Sequence, residues 1–210
     1  IDLPFHKSWF DDNEINEVIE TLKSGWLTTG PKTKRFEDDF KDYIGCGYAI
    51  GLNSCTAGLH LALATKRFKA GDEVITTTMT FPATANVIMH ERLCPVLVDV
   101  EPGTLTIDVN QILEKITPKT RAIMPVHFAG HPCDMDPVME LAEKYKLLII
   151  EDAAHALETK YKGRKIGGLG NPTAFSFYAN KNITTGEGGM LTTNDESLDE
   201  MVRVMRLHGL

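Results

Sequence analysis

Leu147-Leu148-Ile149-Ile150-Glu151-Asp152-Ala153-Ala154-His155-Ala156 is the stretch whose reading decides the fold. Four apolar residues run without alternation and stop at two adjacent carboxylates. An unbroken apolar run of this kind suits a strand buried on both faces, as in a parallel sheet covered by helices. Polar residues just after it then lie at the carboxyl end of a strand, where open α/β sheets bind ligands. Consecutive strand residues face opposite sides. Glu151 and Asp152 therefore should not share one task.

Similar runs occur on both sides of this stretch: Tyr48–Leu52, Glu73–Thr77, Pro95–Val100, Ala122–Val126, Ala174–Phe177 and Met190–Thr193. Amphipathic helices alternate with them. Ile15, Val18, Ile19 and Leu22 mark one helix face, with Asp11 and Glu14 spaced as a capping box and Gly25 as its stop. Val109, Ile112, Leu113 and Ile116 mark a second, opened by Asp108 and Gln111. A third opens at Asp136-Pro137 and presents Val138, Leu141, Ala142 and Tyr145 to the core. The expected fold is an α/β domain with a mainly parallel, mixed sheet of about seven strands flanked by helices.

The chain has 210 residues, 42% hydrophobic and 24% charged, as in ordinary globular proteins. Its formal charge of -7 and the lack of a basic cluster argue against nucleic acid. No apolar run nears the ~18 residues of a membrane span. Residues Ile1 to Trp9 lack the basic and apolar regions of a signal peptide. Cys46, Cys55, Cys94 and Cys133 have no zinc or redox spacing. They are expected as free thiols in a cytoplasmic protein, and no metal site is expected.

Four segments that follow strands carry candidate chemistry. Asn53 to His60 offers small residues at a helix start, where amides and the Ser54 and Thr56 hydroxyls can bind an anion or merely cap the helix. Thr80 to Asn86 places Phe81 at a strand-to-helix turn, able to stack on a flat ring or to join the core. In Glu151 to Ala156 a carboxylate can pair with a protonated ring nitrogen. The plain alternative there is a capping Asp, a solvated Glu and a structural His155. Ser176 to Gly189 sets Lys181 before a glycine-rich turn. A desolvated lysine can lose its proton and attack an aldehyde, while a solvated surface lysine is the commoner case.

Together these segments resemble the DegT/StrS group of sugar aminotransferases, which have the fold-type-I pyridoxal-phosphate (PLP) architecture. The resemblance runs over essentially the whole chain. It includes Ser24-Gly25-Trp26-Leu27-Thr28-Thr29-Gly30-Pro31, Val126 to Pro132, Lys181 to Gly189 and Leu207-His208-Gly209-Leu210. It implies that Lys181 holds PLP covalently and later moves a proton, and that Asp152 keeps the pyridine nitrogen protonated. It implies Phe81 and Ala154 on the two ring faces and His155 near the ring hydroxyl. Thr56, Ala57 and Ser176 would bind the phosphate, and Trp26, Thr28, Thr29 and Gly30 would border the sugar pocket. The implied reaction passes nitrogen from an amino donor, glutamate, to a nucleotide-linked keto-sugar for amino-sugar or surface-polysaccharide synthesis.

Cys55 and Gly58 stand where many relatives have Gly and Ala. Relatives also continue well past Leu210. Residues 1–210 are thus expected to be the PLP-binding large domain with an N-terminal helical segment, without the small C-terminal domain, and the complete protein is expected to be a homodimer. Two alternatives stand beside the sugar reading: the same chemistry on a cyclitol or other cyclic ketone, and a catalytically incomplete PLP-binding or regulatory fragment. A deoxygenating variant of the family carries His at the lysine position, and Lys181 argues against it.

Overall fold

A computed structural model of the chain describes residue 4 and residues 6–209; Ile1 and Leu210 lie outside the described residues. Helices α1 (Asp12–Ser24) and α2 (Pro31–Ile44) lead into alternating β and α elements. These are β1 (Tyr48–Leu52), α3 (Cys55–Ala64), β2 (Glu73–Thr77), α4 (Pro82–His90), β3 (Cys94–Val98), α5 (Val109–Lys115), β4 (Thr120–Met124) and α6 (Met135–Tyr145). The chain then forms β5 (Leu148–Ile149), β6 (Glu151–Asp152), the hairpin β7 (Lys160–Tyr161) and β8 (Arg164–Lys165), β9 (Thr173–Ser176), β10 (Gly189–Thr193) and α7 (Glu196–Met205).

Two four-stranded sheets, ordered β3-β2-β4-β5 and β1-β10-β9-β6, meet at Ile150. The Ile150 amide donates to Ile123 O and the Asp152 amide to Pro125 O, which joins them edge to edge. Counting β5 and β6 as one strand with a break, seven strands line up. Only β10 runs antiparallel to its neighbours β1 and β9. The expected mixed, mainly parallel sheet is present.

The two faces explain the unbroken apolar runs. Val74 and Ala122 join a core with Leu59, Val87 and Val202 of helices α3, α4 and α7. Their neighbours Ile75 and Ile123 join another with Ile112 of α5 and Val138 of α6. Each Val, Leu or Ile among them contributes about 1.5–3 kcal/mol on burial. A strand between two helical layers has no face left for polar residues.

The helices depart from the sequence reading in three places. Helix α1 has its Asp11–Glu14 capping box and a left-handed Gly25 (φ 72). Yet Ile15, Val18, Ile19 and Leu22 are all exposed rather than packed in a core. Helix α5 is capped by Asp108, but Gln111 donates to the Asp108 carboxylate and so does not complete a capping box. Helix α6 starts one residue before Asp136, and Tyr145, on the same face as Val138 but the last residue of the helix, is exposed.

Helix α2 is fastened by a charge cluster. Its Glu37 is 2% exposed. The carboxylate accepts from Gly51 N–H at 2.9 Å, from Arg203 at 2.8 Å and from Arg206. The two arginines also donate to the carbonyls of Ala49 and Gly51. α2, β1 and α7 are thereby locked together beside the carboxyl end of β1.

Candidate functional site

The carboxyl ends of β1, β2, β6 and β9 all open on one edge of the sheet. Gly189, the first residue of β10, sits between Leu52 and Ser176 in the register, so the loop that begins after β9 returns to the same edge. The functional segments are gathered there because parallel strands end on one side.

Asp152 lies at the middle of this edge and is 5% exposed. Its Oδ1 accepts from Ala154 N–H at 3.1 Å and its Oδ2 from the Thr84 hydroxyl at 2.8 Å. The Cys55 thiol stands 3.9 Å from Oδ1 and 3.4 Å from Ala174 O. Burial, and then the Asp152 charge, pushes that thiol well above its usual range, with Lys181 opposing. Ala154 is half-buried and packs against the core.

Lys181 sits in the turn after β9, partly buried, its amide donating to Tyr178 O at 2.9 Å. Phe177 N–H donates to Gly188 O at 2.9 Å and Phe177 O accepts from Thr185 N–H at 3.0 Å, closing the loop at its base. The Lys181 charge acts on both Cys55 and His155. The lysine and Asp152 therefore share a neighbourhood, although they are far apart in sequence. Burial lowers the His155 pKa below its usual 6.5, and Lys181 lowers it further against the pull of Asp152. The His155 ring lies edge-on to Phe128 at 6.3 Å.

The start of α3 fits both of its readings. Ser54 caps the helix, accepting from Ala57 N–H at 3.1 Å. The Cys55 and Thr56 amides, in the first turn, have no intrahelical acceptor. Thr56 is exposed and Ala57 half-buried. A Cβ on Gly189 would collide with the backbone of Ser54 and Cys55, so only glycine lets β10 pass this helix start. Ser176 is half-buried and its hydroxyl accepts from Tyr178 N–H at 3.3 Å.

Phe81 is the N-cap residue of α4 and is 76% exposed. A core role for it is thereby ruled out. Trp26 is exposed, with its indole N–H on Thr29 O at 3.0 Å and its ring over Gly30. Thr28 is exposed in the same turn. Thr29 and Ala57 line a cavity of about 660 Å³ with Lys32, His60, Glu187 and Arg206. Lys181 and Asp152 do not line it. Asp152, Ala154 and Cys55 are thus in contact, the Lys181 charge reaches Cys55 and His155, and of the segment from Trp26 to Gly30 Thr29 lines the cavity.

Sequence reasoning passed over two sets of residues. Thr84, fully buried, is hydrogen-bonded to Asp152 and at 2.6 Å to Thr80. Glu151, read as solvated in the plain alternative, is fully buried. It pairs with the His127 ring at 2.9 Å and accepts from Asn171 at 2.8 Å. Burial opposes protonation of His127, whereas Glu151 beside it favours it. The donor geometry decides for the neutral ring. Cys133 N–H points at Nδ1 at 3.1 Å, and a proton there would set two donors against each other. The only signal available was the motif Val126-His127 itself, which has no partner until the chain folds.

Among the described residues, no group of three His, Cys, Asp or Glu is placed to hold a metal, and no helix is long and apolar enough to cross a membrane. All four cysteines are free.

The chain is similar to several known proteins. The spore coat polysaccharide biosynthesis protein SpsC of Bacillus subtilis (strain 168) is 50% identical over 208 residues, 99% of this chain and 54% of that protein. Spr1654 of Streptococcus pneumoniae, a proposed sugar aminotransferase solved in a PLP form, superposes with a TM-score of 0.95 at 37% identity, over 100% of this chain and 59% of that one. DesI, solved in the presence of its TDP-sugar product, gives a TM-score of 0.91 at 33% identity, over 98% of this chain and 52% of that one. The chain spans about half the length of the curated relatives it matches. The profile of the DegT/DnrJ/EryC1/StrS aminotransferase family matches residues 9–210, and the chain belongs to that family.

Proposed function

We propose that this chain is the cofactor-binding part of a PLP-dependent aminotransferase that moves an amino group from glutamate to a nucleotide-linked keto-sugar, in amino-sugar or surface-polysaccharide synthesis. The observation that carries this reading is Asp152, a buried carboxylate that accepts from Thr84, from Ala154 N–H and from the Cys55 thiol, beside a helix whose N-cap position holds the exposed Phe81. The family, and relatives named for sugar amination and polysaccharide synthesis, support it. The TDP-sugar product of DesI supports the nucleotide-linked substrate.

The residues present fit PLP. A buried carboxylate suits a protonated pyridine nitrogen. The free Cys55 and Thr56 amides suit a phosphate, and the glycine at 189 keeps that helix start open to the lysine loop. When bound, PLP supplies an electron sink for the substrate carbon. Asp152 would hold the ring-nitrogen proton. Lys181 would hold the cofactor covalently and, as a free amine, carry the proton at the reacting carbon. Phe81 and Ala154 would cover the ring faces, with His155 near the ring hydroxyl. Thr56, Ala57 and Ser176 would take the phosphate. Trp26, Thr28, Thr29 and Gly30 would border the sugar.

Residues 1–210 are then the large domain, with its N-terminal helices, of a protein whose remaining part and second subunit complete the site. That proposal leans on relatives nearly twice as long. The four free thiols suit a cytoplasmic setting.

Absorption spectra of the purified chain with PLP test the reading. A visible band that disappears in Lys181→Ala, and that glutamate converts to the amine form of the cofactor, supports it. A chain that acquires no such band would refute the site assignment.

A further inference from the structure

Glu151 is an unused acid beside the site. Its side chain is fully buried and faces away from the Asp152 side chain. Its Oε2 lies 2.9 Å from His127 Nε2, and its Oε1 accepts from Asn171 Nδ2 at 2.8 Å. Its neighbours are tied to the same segments through the main chain. His127 N–H donates to Asp152 O at 3.0 Å, and Asp152 N–H to Pro125 O at 2.9 Å. On the other flank Glu151 N–H donates to Pro172 O at 2.8 Å and Ala153 N–H to Ala174 O at 2.9 Å. Cys133 N–H, at 3.1 Å from Nδ1, orients the imidazole with its remaining proton toward Glu151.

These bonds form a closed loop. One residue, His127, grips Asp152 by its main chain and Glu151 by its ring. Asn171 grips Glu151 from the opposite flank. The loop sits where the two sheets join and where the strand is broken at Ile150. Main-chain bonds run past Ile150 on both flanks and hold the backbone, but they do not set the direction of the Glu151 and Asp152 side chains. Apolar packing would be a cheaper filling than a buried carboxylate, but it lacks direction. Hydrogen bonds depend steeply on distance and angle, so they fix that direction.

We propose that Glu151 is a positioning residue for Asp152: its buried link to His127 and Asn171 fixes where the Asp152 carboxylate stands in the site. The proposal rests on the reading of Asp152 as the partner of the PLP ring nitrogen.

The test is the dissociation constant of PLP for the full chain and for Asp152→Asn, Glu151→Gln and the double variant, with the melting temperature of each taken without PLP. Asp152→Asn should weaken binding roughly 100-fold by loss of the charge on the ring nitrogen. Glu151→Gln turns an acceptor into a donor facing His127 or Asn171, and should weaken it about 10-fold. If Glu151 acts through Asp152, the double variant binds no worse than Asp152→Asn alone. Independent penalties that multiply in the double variant assign Glu151 a merely structural role and overturn the proposal, leaving the PLP reading intact. Unchanged binding by Asp152→Asn overturns the reading of Asp152 and the proposal with it. Should Glu151→Gln not fold, Asn171→Ala removes one of the two side-chain donors and carries the same comparison. Ring-nitrogen NMR of labelled PLP gives a second readout. A weaker protonated signal in Glu151→Gln is expected, and an unchanged one overturns the proposal.

Discussion

The Thr84 hydroxyl donates to Asp152 Oδ2 at 2.8 Å, so the first turn of α4 holds the acid at the end of β6. A hydroxyl has one proton to give. Thr84 spends it on Asp152, so the 2.6 Å contact with Thr80 must have Thr80 as donor. The two threonines form a short relay aimed at the carboxylate.

Thr84→Val keeps the shape and removes the proton. It should cost about 1–3 kcal/mol of stability, the usual result of leaving a buried group unpaired. PLP binding should weaken about 10-fold for the same reason. Thr84→Ser should restore both. Urea unfolding and PLP titration check this pair.

Gly189→Ala should be damaging although it adds one methyl group. The new Cβ would strike the backbone of Ser54 and Cys55, which cannot rotate away. Overpacking of this kind costs about 1–3 kcal/mol. Phosphate binding at the α3 start should fall with it. Thermal melting of the variant, with and without PLP, separates the two effects.

Glu37 gives the chain an acid limit. Burial alone would raise its carboxyl, but the bonds from Arg203, Gly51 N–H and Arg206 outweigh it and hold the group below its usual 4.5. A depressed folded pKa contributes stability that is present above the unfolded value and is lost as pH falls through the folded one. Stability should therefore drop as the pH falls below about 4.5. Glu37→Gln should lose about 3 kcal/mol at pH 7, and the gap to wild type should close in acid. Urea midpoints across pH 3–7 measure it.

The thiols should separate by accessibility. Cys94 is exposed, whereas Cys55 and Cys133 are buried. Burial pushes Cys46 up to about 11 and Cys55 well above its usual range. A thiol reagent at neutral pH should label Cys94 quickly and the other three only on unfolding, since the thiolate is the reactive form. Rapid labelling of Cys55 in the folded chain would contradict the packing around Asp152.

His155 should report on Lys181. Its pKa is lowered first by burial and then by the lysine charge. In Lys181→Ala the imidazole should titrate closer to 6.5, while the contribution of burial remains. Ring-proton NMR of the cofactor-free chain reads the change directly.

Local sequence was enough to read the strands, because burial on both faces leaves a run such as Leu147–Ile150 no polar alternation to hide behind. It was enough for the cap at Asp11 and the stop at Gly25, since both depend on residues a few positions apart. It also singled out Lys181, Asp152, Phe81 and the α3 start as candidates, because parallel strands place their polar successors on one edge. It did not decide what each apolar stripe covers. The stripe of α1 has the period of a core helix and yet lies exposed, because periodicity says that a face exists and not what meets it. Nor did it decide the fate of Glu151. A charge beside Asp152 reads as solvated until His127 and Asn171, each about 20 residues away in sequence, close on it. Hydrogen bonds between distant segments exist only once the sheets have joined, and those bonds separate the two adjacent acids, Asp152 held by Thr84 and Glu151 by His127 and Asn171.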